Sequence, residues 1–187
     1  MNVKDIISAA ATLLSREDIC TYLTEGTAED LTPTQKDTDI ILRCFNLVEN
    51  EIALEYKPLI FRESITSADG IINFDTLEKP ILDVVRIEDE SGNKINYKLY
   101  HTYLKTKPEN CIIYYSYIPE KKQIGGVSDY TDSDMPQRVI AMGIACEFSL
   151  ISAMYDEAVM WDKRYKDSLE RICSKKIKKV MPARRWI

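Results

Sequence analysis

The chain has 187 residues, 45% of them hydrophobic, and 25 Lys or Arg against 30 Asp or Glu, for a net charge of −5. That length and apolar content bury one core without staples; five scattered cysteines (Cys20, Cys44, Cys111, Cys146, Cys173), never spaced as CxxC, support neither a disulfide framework nor a zinc site and fit a reducing cytoplasm. Met1-Asn-Val-Lys-Asp5 lacks the regions of a signal peptide, and no stretch approaches the roughly twenty apolar residues that span a bilayer, so a soluble protein without a membrane partner is expected.

Residues 1–58 read as helical. Val3, Ile6, Ile7, Ala10, Leu13 and Leu14 keep three- and four-residue spacing behind Asn2, a suitable N-cap. Ser15-Arg-Glu-Asp18 reads as a capping box opening a second short helix through Ile19, Tyr22 and Leu23, which Gly26 can close. A third helix starts with Thr32 as cap, Pro33 in the first turn and Gln35 completing the box. It buries Ile40, Ile41, Cys44, Phe45, Val48 and Ile52 and stops at Lys57-Pro58, because the residue before proline is steered away from helical geometry.

Residues 59–119 change to strand composition, with runs at 59–66, 71–74, 81–87, 95–104 and 111–118. Turn signals at Asp69-Gly70, Lys79-Pro80, Ser91-Gly92-Asn93 and Lys107-Pro108-Glu109-Asn110 separate them. Connections this short cannot hold a crossover helix, so the strands are predicted antiparallel and a doubly wound nucleotide-binding sheet is excluded. Cys111 to Tyr117 carries apolar or aromatic groups on both faces and reads as a central strand.

Residues 120–135, with Gly125-Gly126 and then Asp129, Asp132 and Asp134, read as a polar linker with a hinge. Helical spacing returns at Pro136 behind Ser133 and Asp134, through Val139, Ile140, Met142, Gly143, Cys146 and Leu150, and can run on through Met154, Ala158, Trp161, Tyr165, Leu169 and Ile172 to about residue 176. The expected architecture is α+β: a helical bundle formed by the N- and C-terminal segments (1–58 and 136–176), an inserted antiparallel β lobe (59–119), and an extended C-terminal arm (177–187).

Charge is distributed unevenly. Residues 161–187 carry ten basic and three acidic side chains, so the remaining 160 residues hold fifteen basic against twenty-seven acidic. Residues 174–187 contain six Lys or Arg and no acid, and Pro182 ends any helix before Arg184, Arg185 and Trp186. Such a segment is a solvated tail, a nucleic-acid contact, or an anchor in another protein. Trp and Arg concentrate the energy of protein interfaces, whereas a phosphate-binding tail needs no terminal Trp-Ile, which favours the anchor.

Motifs of catalysis are not seen. The single histidine, His101, lies in a Tyr-rich strand segment with no recognisable nucleophile motif, and P-loop, GxGxxG, GxSxG and HExxH patterns do not occur. A small enzyme would have to use residues such as His101, Asp83 and Tyr103. Asp129, Asp132 and Asp134 lack the spacing of an EF-hand and read as a solvated, helix-capping loop, so neither metal nor cofactor is expected. Tyr97, Tyr100, Tyr103, Tyr114, Tyr115 and Tyr117 would make a stacking platform for single-stranded nucleic acid only if basic groups shared their face. They mostly do not, and the strand block is acidic to neutral, so core or interface aromatics are expected.

The order of these parts resembles the head-tail connector (adaptor) proteins of tailed bacteriophages. The resemblance rests on the N-terminal helical pair, the helix at 39–58, Asp69-Gly-Ile-Ile-Asn-Phe74, Ile112-Ile-Tyr-Tyr-Ser-Tyr-Ile-Pro119, the helix from Ala145 to Ser152 leading to Ala158-Val-Met-Trp-Asp-Lys-Arg-Tyr165, and the closing Pro182-Ala-Arg-Arg-Trp186. It implies a non-enzymatic virion protein of the head-tail neck, made in the host cytoplasm. Such proteins form homo-oligomeric rings, commonly twelvefold, between the portal and the tail or neck proteins, and pass double-stranded DNA. By the same resemblance the portal-docking role falls on Lys178, Lys179, Arg184, Arg185 and Trp186. The competing reading is a DNA-binding accessory protein that uses the basic tail on phosphates.

Overall fold

A computed structural model of the chain describes residues 1–107, 109–131, 133 and 135–173. The arm, with Lys178, Lys179, Arg184, Arg185 and Trp186, and the carboxylates of Asp132 and Asp134 lie outside the described residues.

The fold is α+β, with N- and C-terminal helices packed on each other and antiparallel sheets inserted between them. Helix α1 (Val3–Leu13) buries Val3, Ile6, Ile7, Ala10 and Ala11, the face set by their spacing. Its N-cap is Asn2, but that side chain donates to the Asp5 carboxylate at 3.2 Å and caps no backbone N–H. Helix α2 (Glu17–Glu25) closes at Gly26 with φ of 73°, as Gly26 was expected to do.

The expected capping box at Ser15 does not form. Ser15 adopts φ of 56° and serves the preceding helix, with Arg16 N–H reaching Ala11 C=O at 2.9 Å and Ser15 N–H reaching Thr12 C=O at 3.2 Å. Arg16 instead ties the start of α2 to α3 (Leu31–Glu51), with ion pairs of 2.7 Å to Asp18 and 2.6 Å to Asp37. Hydrogen bonding to Arg16 holds the Asp18 carboxyl at about 2, against the cost of its partial burial.

Helix α3 begins one residue before Thr32, with Asp30 at the N-cap. Its last turn, Ile52–Tyr56, widens so that Lys57 N–H reaches back five residues to Ile52 C=O at 2.7 Å before Pro58 ends it.

In the β block, β1 (Leu59–Ser67), β3 (Ile81–Glu88) and β6 (Glu109–Tyr117) form one antiparallel sheet in the order β1-β6-β3, so Cys111 to Tyr117 is central as predicted. A second sheet has the order β2-β5-β4, from Ile71–Asn73 (β2), Lys98–Leu99 (β4) and Tyr103–Lys105 (β5). The predicted run at 95–104 is therefore two short strands, turned at the exposed His101 and Thr102. Gly70, with φ of 75°, lets the Asp69-Gly70 turn close against Thr106, whose N–H meets Gly70 C=O at 2.7 Å. Val84, Ile87, Cys111, Ile113 and Tyr115 from the first sheet meet Ile72 and Leu104 from the second in a core of their own. The β3 edge carries two bulges, at Leu82 and Val85, which twist it out of register.

Helix α4 (Gln137–Ile151) is the axis of the helical core. Ten consecutive or near-consecutive residues of it are buried, because α1, α3 and α5 (Tyr155–Cys173) all pack on it. It does not continue into α5. The chain reverses at Ser152–Met154, with Ala153 at φ of 57°, Met154 N–H on Ser149 C=O at 2.8 Å and Ala153 N–H on Leu150 C=O at 3.2 Å. An unbroken helix would have carried Trp161, Tyr165 and Leu169 away from the core that they now close.

The stretch at 120–135 is packed into the helical body. Tyr130 is fully buried and donates to Lys57 C=O at 2.7 Å; Ser128 and Met135 are also buried. Gly126 C=O takes the Val3 N–H at 3.0 Å, so Gly125-Gly126 is a docked turn beside the first helix.

Candidate functional site

Three features of the helical body bear on function: the tip of the α4–α5 hairpin, a basic cleft between those helices, and a buried carboxyl that holds Ser128 and Asp129.

At the tip, Leu150 and Ile151 end α4, and Tyr155 and Val159 sit one turn apart at the start of α5. Tyr155 is 65% and Val159 71% exposed, and Leu150 and Ile151 are each about half exposed. The reversal at Ala153 places these four residues at the same end of the hairpin, since only three residues separate the helices. Elsewhere Leu47 on α3 and Leu54 in its terminal turn are also about half exposed. Large apolar side chains grouped this way are the signature of a contact surface, whereas single exposed ones are ordinary.

Toward the other end of the hairpin, Arg138, Arg164 and Arg171 line a cleft of about 610 Å³ between α4 and α5, with Met142 and Val139 at its floor and Asp167 on its rim. Arg164 lies over the Trp161 ring at 5.2 Å. Helix α5 ends at Cys173, so the basic sequence at 174–187 follows directly from this basic cleft. All five predicted docking residues belong to that following sequence, outside the described residues.

Glu49 on α3 is fully buried. Its Oε1 accepts from Ser128 Oγ at 2.7 Å and from Asp129 N–H at 2.9 Å, while Lys122 is paired to the Asp129 carboxylate at 2.8 Å. Asn46, one turn earlier, accepts from Lys122 N–H at 2.6 Å. Burial raises the Glu49 pKa above its ordinary 4.5, against the two hydrogen bonds that favour the carboxylate. A carboxyl with a raised folded pKa contributes most stability below its unfolded pKa, and that contribution is lost as pH rises through the folded value. Glu49→Gln keeps an acceptor for Ser128 and Asp129. The wild-type thermal midpoint should therefore fall between about pH 4.5 and the raised value relative to Glu49→Gln. Parallel profiles for the two proteins would contradict this.

The structure does not gather the residues weighed as a small enzyme site. His101 is in the exposed turn between β4 and β5, Tyr103 is on β5, and Asp83 is exposed on β3 in the other sheet. Asp129, first of the acidic trio, is committed to Lys122, and among the described residues no group of three or more His, Cys, Asp or Glu converges. Burial pushes the Cys44 thiol up to about 12 and the Cys146 thiol to about 11. Both behave as small hydrophobes at neutral pH. No helix among the described residues is long and apolar enough to cross a membrane.

The tyrosines of the β block divide into packed and open ones. Tyr115 is buried and donates to Glu63 at 2.8 Å, and Tyr114 lies under Arg86 at 4.1 Å. Tyr100 and Tyr103, however, stack on each other at 4.6 Å on the β4–β5 hairpin, beside the Lys98–Lys105 pair. The signal was in the sequence: residues 91–107 contain four Lys, one His and three Tyr and no Asp or Glu. Averaging charge over the whole β block hid it.

No family model matches the chain, and no curated protein matches it in sequence.

Proposed function

We propose that the chain is a structural virion protein, a ring-forming head-tail connector (adaptor) that docks on the portal through its C-terminal arm. In this reading it contacts tail or neck proteins on its other side and gives double-stranded DNA a continuous channel. The observation that carries it is the uncovered apolar tip at Leu150, Ile151, Tyr155 and Val159 on an otherwise acidic body. Such a patch meeting a different surface of the next copy is a heterologous contact, and heterologous contacts that close make a ring. The net negative charge of residues 1–160 disfavours lodging of a DNA backbone in a ring of such bodies, and the basic arm supplies attachment.

The test is cryo-EM of the full chain added to portal-bearing heads. Closed rings are expected with the wild type, and Ile151→Asp/Val159→Asp should abolish them. That variant should retain its thermal midpoint, because exposed substitutions usually change stability by less than about 0.5 kcal/mol. Rings that persist in the double variant, or isolated chains with the wild type, would count against the reading. Trp186→Ala should weaken attachment, since truncating a buried interface Trp commonly costs about 2 kcal/mol or more. If the arm contacts DNA instead, attachment survives that change and is lost on raising salt.

A further inference from the structure

We propose that the outer face of the β4–β5 hairpin binds a single nucleic-acid strand, with Lys98 and Lys105 on the phosphates and Tyr100 stacked on a base. This inference does not rest on the connector reading.

The geometry is set by the strand register. Lys98 pairs directly with Lys105, and Tyr100 N–H bonds Tyr103 C=O at 2.9 Å, so the two pairs lie two residues apart on one face. The opposite face carries Leu104, which is fully buried in the β core, and its partner Leu99, which is about half exposed at the sheet edge; the face of Lys98, Tyr100 and Lys105 is exposed. Solvent therefore meets a two-by-two array: two opposed lysines beside two stacked tyrosines whose rings are 4.6 Å apart and within 14° of parallel. Tyr100 is 43% exposed. Lys107, just beyond β5, extends the array along a cleft of about 420 Å³ that it shares with Tyr97 and Thr106.

Like charges directly opposite each other in a sheet are destabilising. Among the described side chains, which do not include that of Glu109, neither Lys98, Lys105 nor Lys107 has a carboxylate within 4.0 Å to relieve this. The Asp69 carboxylate, at the turn before β2, has its Oδ1 committed to Ile71 N–H at 3.0 Å and Ser67 Oγ at 3.2 Å.

Two ordinary explanations fall short. Lysine guards sheet edges against pairing, which would account for Lys98 on edge strand β4, but Lys105 is on the central strand β5 and Lys107 beyond it. A protein partner would use the tyrosines, but lysine is depleted where proteins meet. Uncompensated lysines interleaved with exposed aromatic faces fit a phosphate backbone and its bases, because a base stacks on an aromatic ring whatever its sequence. A single strand is favoured over a duplex, whose bases are already stacked on each other.

The test is fluorescence anisotropy of the full chain with a labelled twenty-nucleotide oligothymidine, the matching duplex, and polyglutamate. Wild type should prefer the single strand. Lys98→Glu should weaken that binding by about fivefold or more and lower the slope of log affinity on log salt by about 0.7 or more. Its thermal midpoint should not fall, since it turns a repulsive pair into an ion pair. Tyr100→Ala, at an exposed position, should give a loss of about fivefold or more without adding negative charge. Both variants leave the basic arm intact, so unchanged affinity in both would assign any binding to the arm and overturn the proposal. It is equally overturned if the wild type does not bind the single strand, or binds the duplex or polyglutamate more tightly.

Discussion

Tyr130→Ala should destabilise the protein by about 3–5 kcal/mol, the range for removing a buried aromatic ring from a core. For a chain of this length that lowers the thermal midpoint by roughly 10 °C. The ring is fully buried in the helical core, and its hydroxyl donates to Lys57 C=O at 2.7 Å, where α3 hands over to β1. Its removal leaves a void between elements from both ends of the chain. A solvated linker would predict a change within about 0.5 kcal/mol. Chemical denaturation of the two proteins separates these outcomes, and a small effect would mean that Tyr130 is not part of the core.

Gly143→Val should cost about 3 kcal/mol, and Gly143→Ala about 1–2 kcal/mol, as overpacking. Helix propensity alone predicts the opposite sign for Ala, a gain of about 1 kcal/mol over Gly. A Cβ at this position would sit 2.8 Å from Val48 Cγ1 and 2.9 Å from Tyr165 Cε2, closer than side chains approach. Tyr165 cannot swing aside, because it is buried and its hydroxyl bonds Glu51 at 3.3 Å. The absence of a side chain at Gly143 is thus what lets α3 and α5 close on α4 together. Adding Val48→Ala to Gly143→Ala should recover part of the loss, since it removes the nearest obstructing atom. If Gly143→Ala raises the midpoint, the close approach at this crossing is wrong.

The helices and the antiparallel β insertion were legible because each depends on local pattern. Ile6 and Ile7, Ile41 and Phe45, and Ala158 and Trp161 mark their buried faces by spacing alone, and the short turns between strands leave no room for a parallel crossover. The candidate surfaces were less legible. Leu150 reads as part of an apolar stripe, and Ile151, Tyr155 and Val159 carry no signal of their own until the reversal at Ala153 places all four at one exposed end of the hairpin. That reversal is hard to foresee, because a left-handed alanine has no sequence signature of the kind that Gly26 gives. Ser15 misled in the same way: it resembles an N-cap but ends a helix.

The sequence by itself determined the fold class, the boundaries at Pro58 and near Pro136, the centrality of Cys111 to Tyr117, and the separation of an acidic body from a basic terminal segment. These follow from periodicity, turn chemistry and composition, which act over a few residues. Only the tertiary structure decided that Ser128, Tyr130 and Met135 are buried, that α4 and α5 are two helices, and that Lys98, Tyr100, Tyr103 and Lys105 share one open face. Each of these depends on partners distant in the chain: Glu49 satisfying Ser128 and Asp129, Gly143 admitting Tyr165, and Leu104 anchoring one side of a hairpin so that the other faces water. A polar residue such as Ser128 reads as solvated until a buried carboxyl across the fold supplies its hydrogen bond, and no local pattern carries that information.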